Sequence, residues 1–151
     1  MQTFLPYSDF QKSASVLDRA RLGKQRVEVL QLLNVLLGKS RGNGWKNHPA
    51  ARMWQGHEGA LARYGLTICQ EWTSRGYRDT CAGKIDMLLN EVSYDNESRF
   101  VNPPWLNDER FTSSHRANLL RKDPVWYGKF GWTEDPVTPY FWPSKEGYNN
   151  I

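Results

Sequence analysis

The segment LDRARLGKQRVEVLQLL, Leu17 to Leu33, sets Arg19, Arg21, Lys24 and Arg26 around one carboxylate, Glu28. On a helix, Arg21, Lys24 and Glu28 are spaced i, i+3, i+7 and share a face. That face lies roughly opposite a leucine stripe, and Arg19 and Arg26 share another side. Glu28 is therefore expected to face outward between cations. Such cations suit a polyanion, whereas a carboxylate among them repels one and is a poor choice for a simple DNA binder. For an enzyme acting on DNA it makes sense. A carboxylate can stabilise the cationic sugar that develops as a glycosidic bond breaks, or it can handle protons. The same residues also allow a plain surface pair between Lys24 and Glu28, contributing roughly 0.2–0.5 kcal/mol.

The remaining chemistry-bearing residues are fewer. His57 falls on an apolar helical stripe, which suits a hydrogen-bonded core histidine. His48 precedes Pro49 and can cap a helix, and His115 sits beside Arg116. None has a metal-ligand partner at a usable spacing, so no metal and no cofactor are expected. No phosphate-binding glycine loop or dinucleotide fingerprint is present. Cys69 and Cys81, without a flanking metal pattern, read as reduced thiols of a cytosolic protein.

Charge and aromatic content point toward nucleic acid. The net charge is +4. Gln11–Leu30 holds Lys12, Arg19, Arg21, Lys24 and Arg26 against Asp18 and Glu28. His115–Gly131 holds Arg116, Arg121, Lys122 and Lys129 against Asp123. Two basic segments are what a nucleic-acid clamp needs, although solvated helix faces carry such charges too. Seven Trp, seven Tyr and six Phe supply rings that can build a core or stack on bases.

These residues must be positioned by helices. One segment runs from about Ser13 to Leu37 and stops at Gly38, with Leu22, Val29, Leu33 and Leu36 on one stripe. A second starts near Pro49 and ends at Arg75-Gly76, with His57, Leu61, Tyr64, Ile68 and Trp72 in phase. A third starts at Ser113 or Ser114 and breaks at Asp123-Pro124. Ser93–Glu109 reads as an ordered crossover, and the tail from Glu134 as an extended strip docked through Tyr140, Phe141 and Trp142. The fold class is all-α, a single domain over 1–151 with about three main helices. No apolar run is long enough to cross a bilayer, and MQTFLPYSDFQK lacks the pattern of a secretory leader. A cytoplasmic monomer is the default expectation.

The run SSHRANLLRKDPVWYGKFGW, Ser113 to Trp132, resembles the end of the pyrimidine-dimer DNA glycosylases, the phage endonuclease V family: a basic helix, a proline, then an aromatic cluster with glycine. EWTSRGYRDT (Glu71–Thr80), HPAARMWQGHEGALARYG (His48–Gly65) and LDRARLGKQRVE (Leu17–Glu28) are similar to family segments in the same order, so the resemblance spans about Met1 to Trp132. The opening MQTFLPY is similar to a bacterial and phage branch. The resemblance implies a compact helical fold and excision of a base from duplex DNA by nucleotide flipping. In that chemistry an N-terminal amine attacks C1′, an imine forms, and β-elimination nicks the strand.

Carried over, Glu28 is the catalytic carboxylate and Met1 supplies the amine. Arg19, Arg21, Lys24 and Arg26 hold phosphates, as do Arg116, Arg121 and Lys129 in a second patch. His57 joins the DNA-binding candidates. Trp126 and Tyr127 match the aromatic cluster, packed near the lesion. Two departures stand out. The family places glutamate directly after arginine, whereas here Val27 separates Arg26 from Glu28, leaving Val27 or Glu28 at the catalytic position. The family's nucleophile is a threonine amine, whereas here Met1 precedes Gln2. The expected function is a DNA glycosylase with or without lyase activity, acting on a pyrimidine dimer or a 5-substituted uracil. The alternatives are a catalytically silent DNA-binding protein and an RNA-directed or structural protein.

Overall fold

The computed structural model describes residues 2–40, 45–95 and 97–143. Among the described residues there are seven α-helices and no strand, so the chain is all-α, and the expected count of three main helices is corrected to seven. The first expected segment is two helices, α1 (Phe10–Val16) and α2 (Arg19–Leu36). Leu17 and Asp18 between them are extended, and Asp18 caps α2 by accepting from the backbone of Arg21. The second segment is also two, α3 (Pro49–Trp54) and α4 (Glu58–Ser74). Gly56 separates them at φ +88°, a left-handed conformation that a side chain disfavours. His57 consequently sits at the start of α4 rather than within a helical stripe.

α5 (Ala82–Leu89) was not expected from the sequence. α6 (Glu109–Lys122) begins one turn before Ser113, because Asp108 caps it through the amide of Arg110. α7 (Pro124–Tyr127) follows directly. The Ser93–Glu109 crossover contains short 3-10 turns at Glu97–Arg99 and Pro104–Asn107.

The core forms where α2 meets α4 and α5. Leu22, Val29 and Leu33 are fully buried, as are Leu61, Tyr64, Ile68 and Ile85. Each such aliphatic side chain contributes roughly 1.5–3 kcal/mol by leaving water. Trp54 stacks on Tyr64 at 6.3 Å between ring centroids and meets Trp105 edge-on at 4.9 Å. Cys69 and Cys81 are free, buried thiols, and burial pushes Cys69 up to about 12. No helix among the described residues is long and apolar enough to cross a membrane.

The helices approach most closely at Gly65. A Cβ there would lie 2.5 Å from Val29 Cγ1 and 3.1 Å from Ile85 Cδ1. Val29 is β-branched and stiff at χ1 in a helix, so it cannot swing away. Gly65→Ala is expected to lower unfolding free energy by about 1–3 kcal/mol through overpacking, read from urea denaturation midpoints.

Candidate active site

The site is organised around the N-terminal arm, residues 2–6, which runs extended through the core with no strand beside it. Its amides are taken by side chains. Gln2 N donates to Glu28 Oε2 at 3.3 Å, and Thr3 N to Gln2 Oε1 at 2.9 Å. Phe4 N donates to Gln25 Oε1 at 3.0 Å, and Leu5 N to His115 Nδ1 at 3.0 Å. The carbonyls of Gln2, Phe4 and Pro6 accept from Gln25 Nε2, the Tyr64 hydroxyl and Arg116 Nη1, each at 2.7 Å. Trp54 Nε1 donates to Thr3 Oγ1 at 3.0 Å. Helices α2, α3, α4 and α6 thus all hold the arm.

Glu28 does not face outward as expected. It is only 8% exposed, because the arm covers the face of α2 that a lone amphipathic helix would leave to solvent. Its Oε2 accepts from Gln2 N and, at 3.0 Å, from Gln25 Nε2. Its Oε1 lies 3.7 Å from Lys24 Nζ, on a side chain 77% exposed. One carboxylate oxygen is therefore pinned by the arm and the other faces a mobile cation at the surface. Val27, the alternative at this position, is 43% exposed.

Aromatic residues from the tail border the same centre. Tyr140 packs edge-on to His115 at 5.3 Å, and burial pushes its phenol up to about 12, opposed by Arg121 and Arg21 and reinforced by Glu28. Trp142 meets His48 edge-on at 6.2 Å, and Trp45 lies tilted against that ring at 5.4 Å. His48 caps α3 by accepting from Ala50 N at 3.1 Å. Burial lowers its pKa against the pull of Glu28. Met1 lies outside the described residues.

The cations named from the sequence divide into two groups. Arg19 is exposed, over the ring of Tyr77, and Lys24 is exposed beside Glu28. Lys129 is exposed and sits 3.4 Å from the centroid of the Trp126 ring. Arg19 and Lys24 line an open groove of about 560 Å³ together with Asp18, Gly23, Trp72 and Trp126, the ring that Lys129 covers. Arg121 is exposed and bonded to Asn118. Arg21 pairs with Asp18 at 3.1 Å.

The others are committed inward. Arg26 pairs with buried Asp79 at 2.6 Å and lies on the Trp72 ring at 4.4 Å. Arg116 is held by Glu109 at 2.5 Å, Glu134 at 3.1 Å and the carbonyl of Pro6. His57 Nδ1 contacts the carbonyl of Ser98 at 3.0 Å. Tyr127 is fully buried; its hydroxyl accepts from Asp18 N at 3.0 Å and donates to the Asp18 carboxylate. Burial would raise the pKa of Asp18, but Tyr127 and Arg21 hold it below its usual value.

Sequence reasoning missed Gln2, Gln25, Tyr64 and Asp79. Gln25 lies one helical turn before Glu28, a signal that was present. Asp79 carried a local signal too, since its carboxylate accepts from Cys81 N and Ala82 N and starts α5.

A carboxylate held by the buried arm beside a basic, tryptophan-lined groove is an arrangement suited to a polyanionic substrate. The family model of the pyrimidine dimer DNA glycosylases matches residues 1–84, and the chain belongs to that family of DNA repair enzymes. The match contains the arm, Gln25, Glu28 and Tyr64, whereas α6, α7 and the tail lie beyond it. Comparison with curated proteins and with solved structures gives no match.

The arm's anchorage is sensitive to acid. His115 is fully buried and accepts from Leu5 N through Nδ1, so its proton sits on Nε2. Burial lowers its pKa to about 3. The unfolded chain's histidine titrates near 6.5 and binds the proton first. Stability is then complete above about pH 6.5 and falls as pH drops toward 3. About 2 kcal/mol is expected to be lost between neutral pH and pH 5. Asp18 and Asp79, both held below their usual values, add losses only below about pH 4. Urea midpoints at pH 5 and 7.5 measure this. His115→Gln keeps an acceptor for Leu5 N and is expected to flatten most of the slope, the remainder coming from His48.

Proposed function

We propose that this protein excises a pyrimidine lesion from duplex DNA, either a cyclobutane dimer or a 5-substituted uracil, with Glu28 as catalytic carboxylate and the Met1 amine as nucleophile. One observation carries the reading: the Glu28 carboxylate accepts the amide of Gln2 at 3.3 Å. Gln2 directly follows Met1 in the sequence, so this contact is made by the residue next to the proposed nucleophile. An α-amino group titrates near 7.7–8.0, which leaves about a tenth neutral at pH 7 without special tuning.

The chemistry follows from that placement. The neutral amine attacks C1′ of a flipped nucleotide, the C1′–N bond breaks, and its electron pair leaves with the base. Glu28 stabilises the positive charge that develops on the sugar in a site largely shielded from water. Loss of the amine proton and ring opening give an imine. Removal of a C2′ proton then expels the 3′ phosphate and nicks the strand. Arg19 and Lys24 hold phosphates at the groove, and Arg21, Arg121 and Lys129 supply further phosphate contacts. Arg26, Arg116 and His57 act indirectly, by holding the walls in place. Trp126 presents its ring beside Lys129, and Tyr127 stacks on Trp132 at 5.6 Å.

Borohydride trapping tests the reading. Wild-type protein is mixed with duplexes carrying a cyclobutane dimer, 5-hydroxymethyluracil, an abasic site or no lesion. A covalent band on a base lesion, with the adduct mapped to Met1 by mass spectrometry, is the expected result. Glu28→Gln is expected to keep duplex affinity and to lose at least about 100-fold in base release. Lys24→Ala is expected to reduce the slope of log affinity against log salt by about one. Base release without any band moves the nucleophile to water. No release from any duplex leaves a DNA-binding protein.

A further inference from the structure

We infer that the side-chain amide of Gln2 donates to the O2 carbonyl of the target pyrimidine and so helps determine which base is released. The inference rests on the glycosylase reading above. Gln2 is only 7% exposed, and three of its four polar groups are satisfied inside the protein. Its N donates to Glu28 Oε2 at 3.3 Å, its carbonyl accepts from Gln25 Nε2 at 2.7 Å, and its Oε1 accepts from Thr3 N at 2.9 Å. The fourth group, Nε2, carries two hydrogens and has no partner among the described residues.

An amide flip does not remove the orphan. Exchanging oxygen and nitrogen would set a donor against Thr3 N and lose the one side-chain bond that Gln2 makes. Methionine would fill a similar volume without burying an unpaired donor. The NH2 group is therefore suited to an acceptor that arrives with a ligand, on the residue whose own backbone touches the Glu28 carboxylate.

The acceptor's chemistry is constrained by that neighbour. A phosphate would meet the Glu28 carboxylate on the Oε2 side, where its near partners are the neutral amides of Gln2 and Gln25, while Lys24 on the Oε1 side and Arg19 offer cations at the groove. A neutral carbonyl fits the inner position. O2 of a pyrimidine sits on the ring carbon bonded to the glycosidic nitrogen, so it is near C1′, where Glu28 acts. When the C1′–N1 bond breaks, the departing electron pair spreads from N1 onto O2. A donor there strengthens as the bond lengthens and speeds base departure. Adenine carries no carbonyl and gains nothing from this donor.

Gln2→Met tests the inference in steady-state base release and in affinity for a duplex carrying a tetrahydrofuran abasic analogue, which has no base. Base release is expected to fall at least tenfold in kcat/KM, and tetrahydrofuran affinity to stay within about twofold. Equal losses in both assays assign Gln2 a structural role and overturn the inference, as does an unchanged rate. If Gln2→Met does not fold, wild-type protein is titrated with duplexes bearing an uncleavable 2′-fluoro nucleotide, with the C2 carbonyl present or replaced by hydrogen. About tenfold weaker binding without the carbonyl is expected, and equal affinities overturn the inference. Wild-type protein that releases no base from any duplex overturns the glycosylase reading itself, a result distinct from an active enzyme indifferent to Gln2.

Discussion

An extended segment without a strand partner stays buried only if side chains take over its peptide hydrogen bonds. The amides of Gln2, Thr3, Phe4 and Leu5 each find a side-chain acceptor, and Pro6 has no amide to satisfy. Gln25 is the hub. Its two amide hydrogens go to Gln2 O and Glu28 Oε2, and its oxygen accepts from Phe4 N and lies 2.8 Å from the Tyr64 hydroxyl. Both amide hydrogens and the oxygen of that side chain are engaged inside the protein. The network that buries the arm and the one that orients the carboxylate are therefore the same network. Gln2 cannot shift without releasing a contact to Glu28.

The same economy governs the cations. A guanidinium buried beside a carboxylate stabilises little unless its remaining hydrogens are used. Arg116 meets that condition with two carboxylates and the Pro6 carbonyl, tying α6 to the arm. Arg26 meets it with Asp79, the Gly23 carbonyl and the face of Trp72. Asp79 in turn caps the start of α5, so one ion pair joins three elements. Arg19, Lys24 and Lys129 lack such enclosure and remain exposed at the groove. A cation count along the sequence sees two basic segments where the fold makes a scaffold and a surface.

This explains what was legible. The leucine stripe of α2 and the in-phase Leu61, Tyr64 and Ile68 of α4 were readable, because helical period alone decides which side of a helix is apolar. The breaks at Leu17-Asp18 and at Gly56 were not, since apolar residues continue across them in near-helical phase. Two carboxylates that mark helix starts, Asp18 and Asp108, were present in the sequence but were outweighed by that phase. Glu28 was identified as the residue of interest, yet its burial was illegible. Phase places it opposite the leucines, and only tertiary structure reveals that the arm covers that second face. The C-terminal aromatic run, which carried much of the resemblance, lies beyond the family match and serves partly as packing, with Tyr127 fully buried against Asp18.

The opening conflict of a carboxylate among cations resolves by depth. An exposed carboxylate would repel phosphate across water and weaken every contact in the groove. Set behind the arm, with one oxygen fixed by Gln2 and Gln25, Glu28 lies in a medium of lower dielectric, where its charge is felt strongly only at short range. In the reaction proposed above, charge that appears close to it, on a sugar losing its base, is stabilised strongly, while phosphates farther out meet Lys24 and Arg19 first. On that proposal, the field that would hinder binding at the surface becomes selective for the transition state once it is buried. Lys24, 3.7 Å from the outer oxygen yet largely in solvent, sits on the boundary between the two regimes.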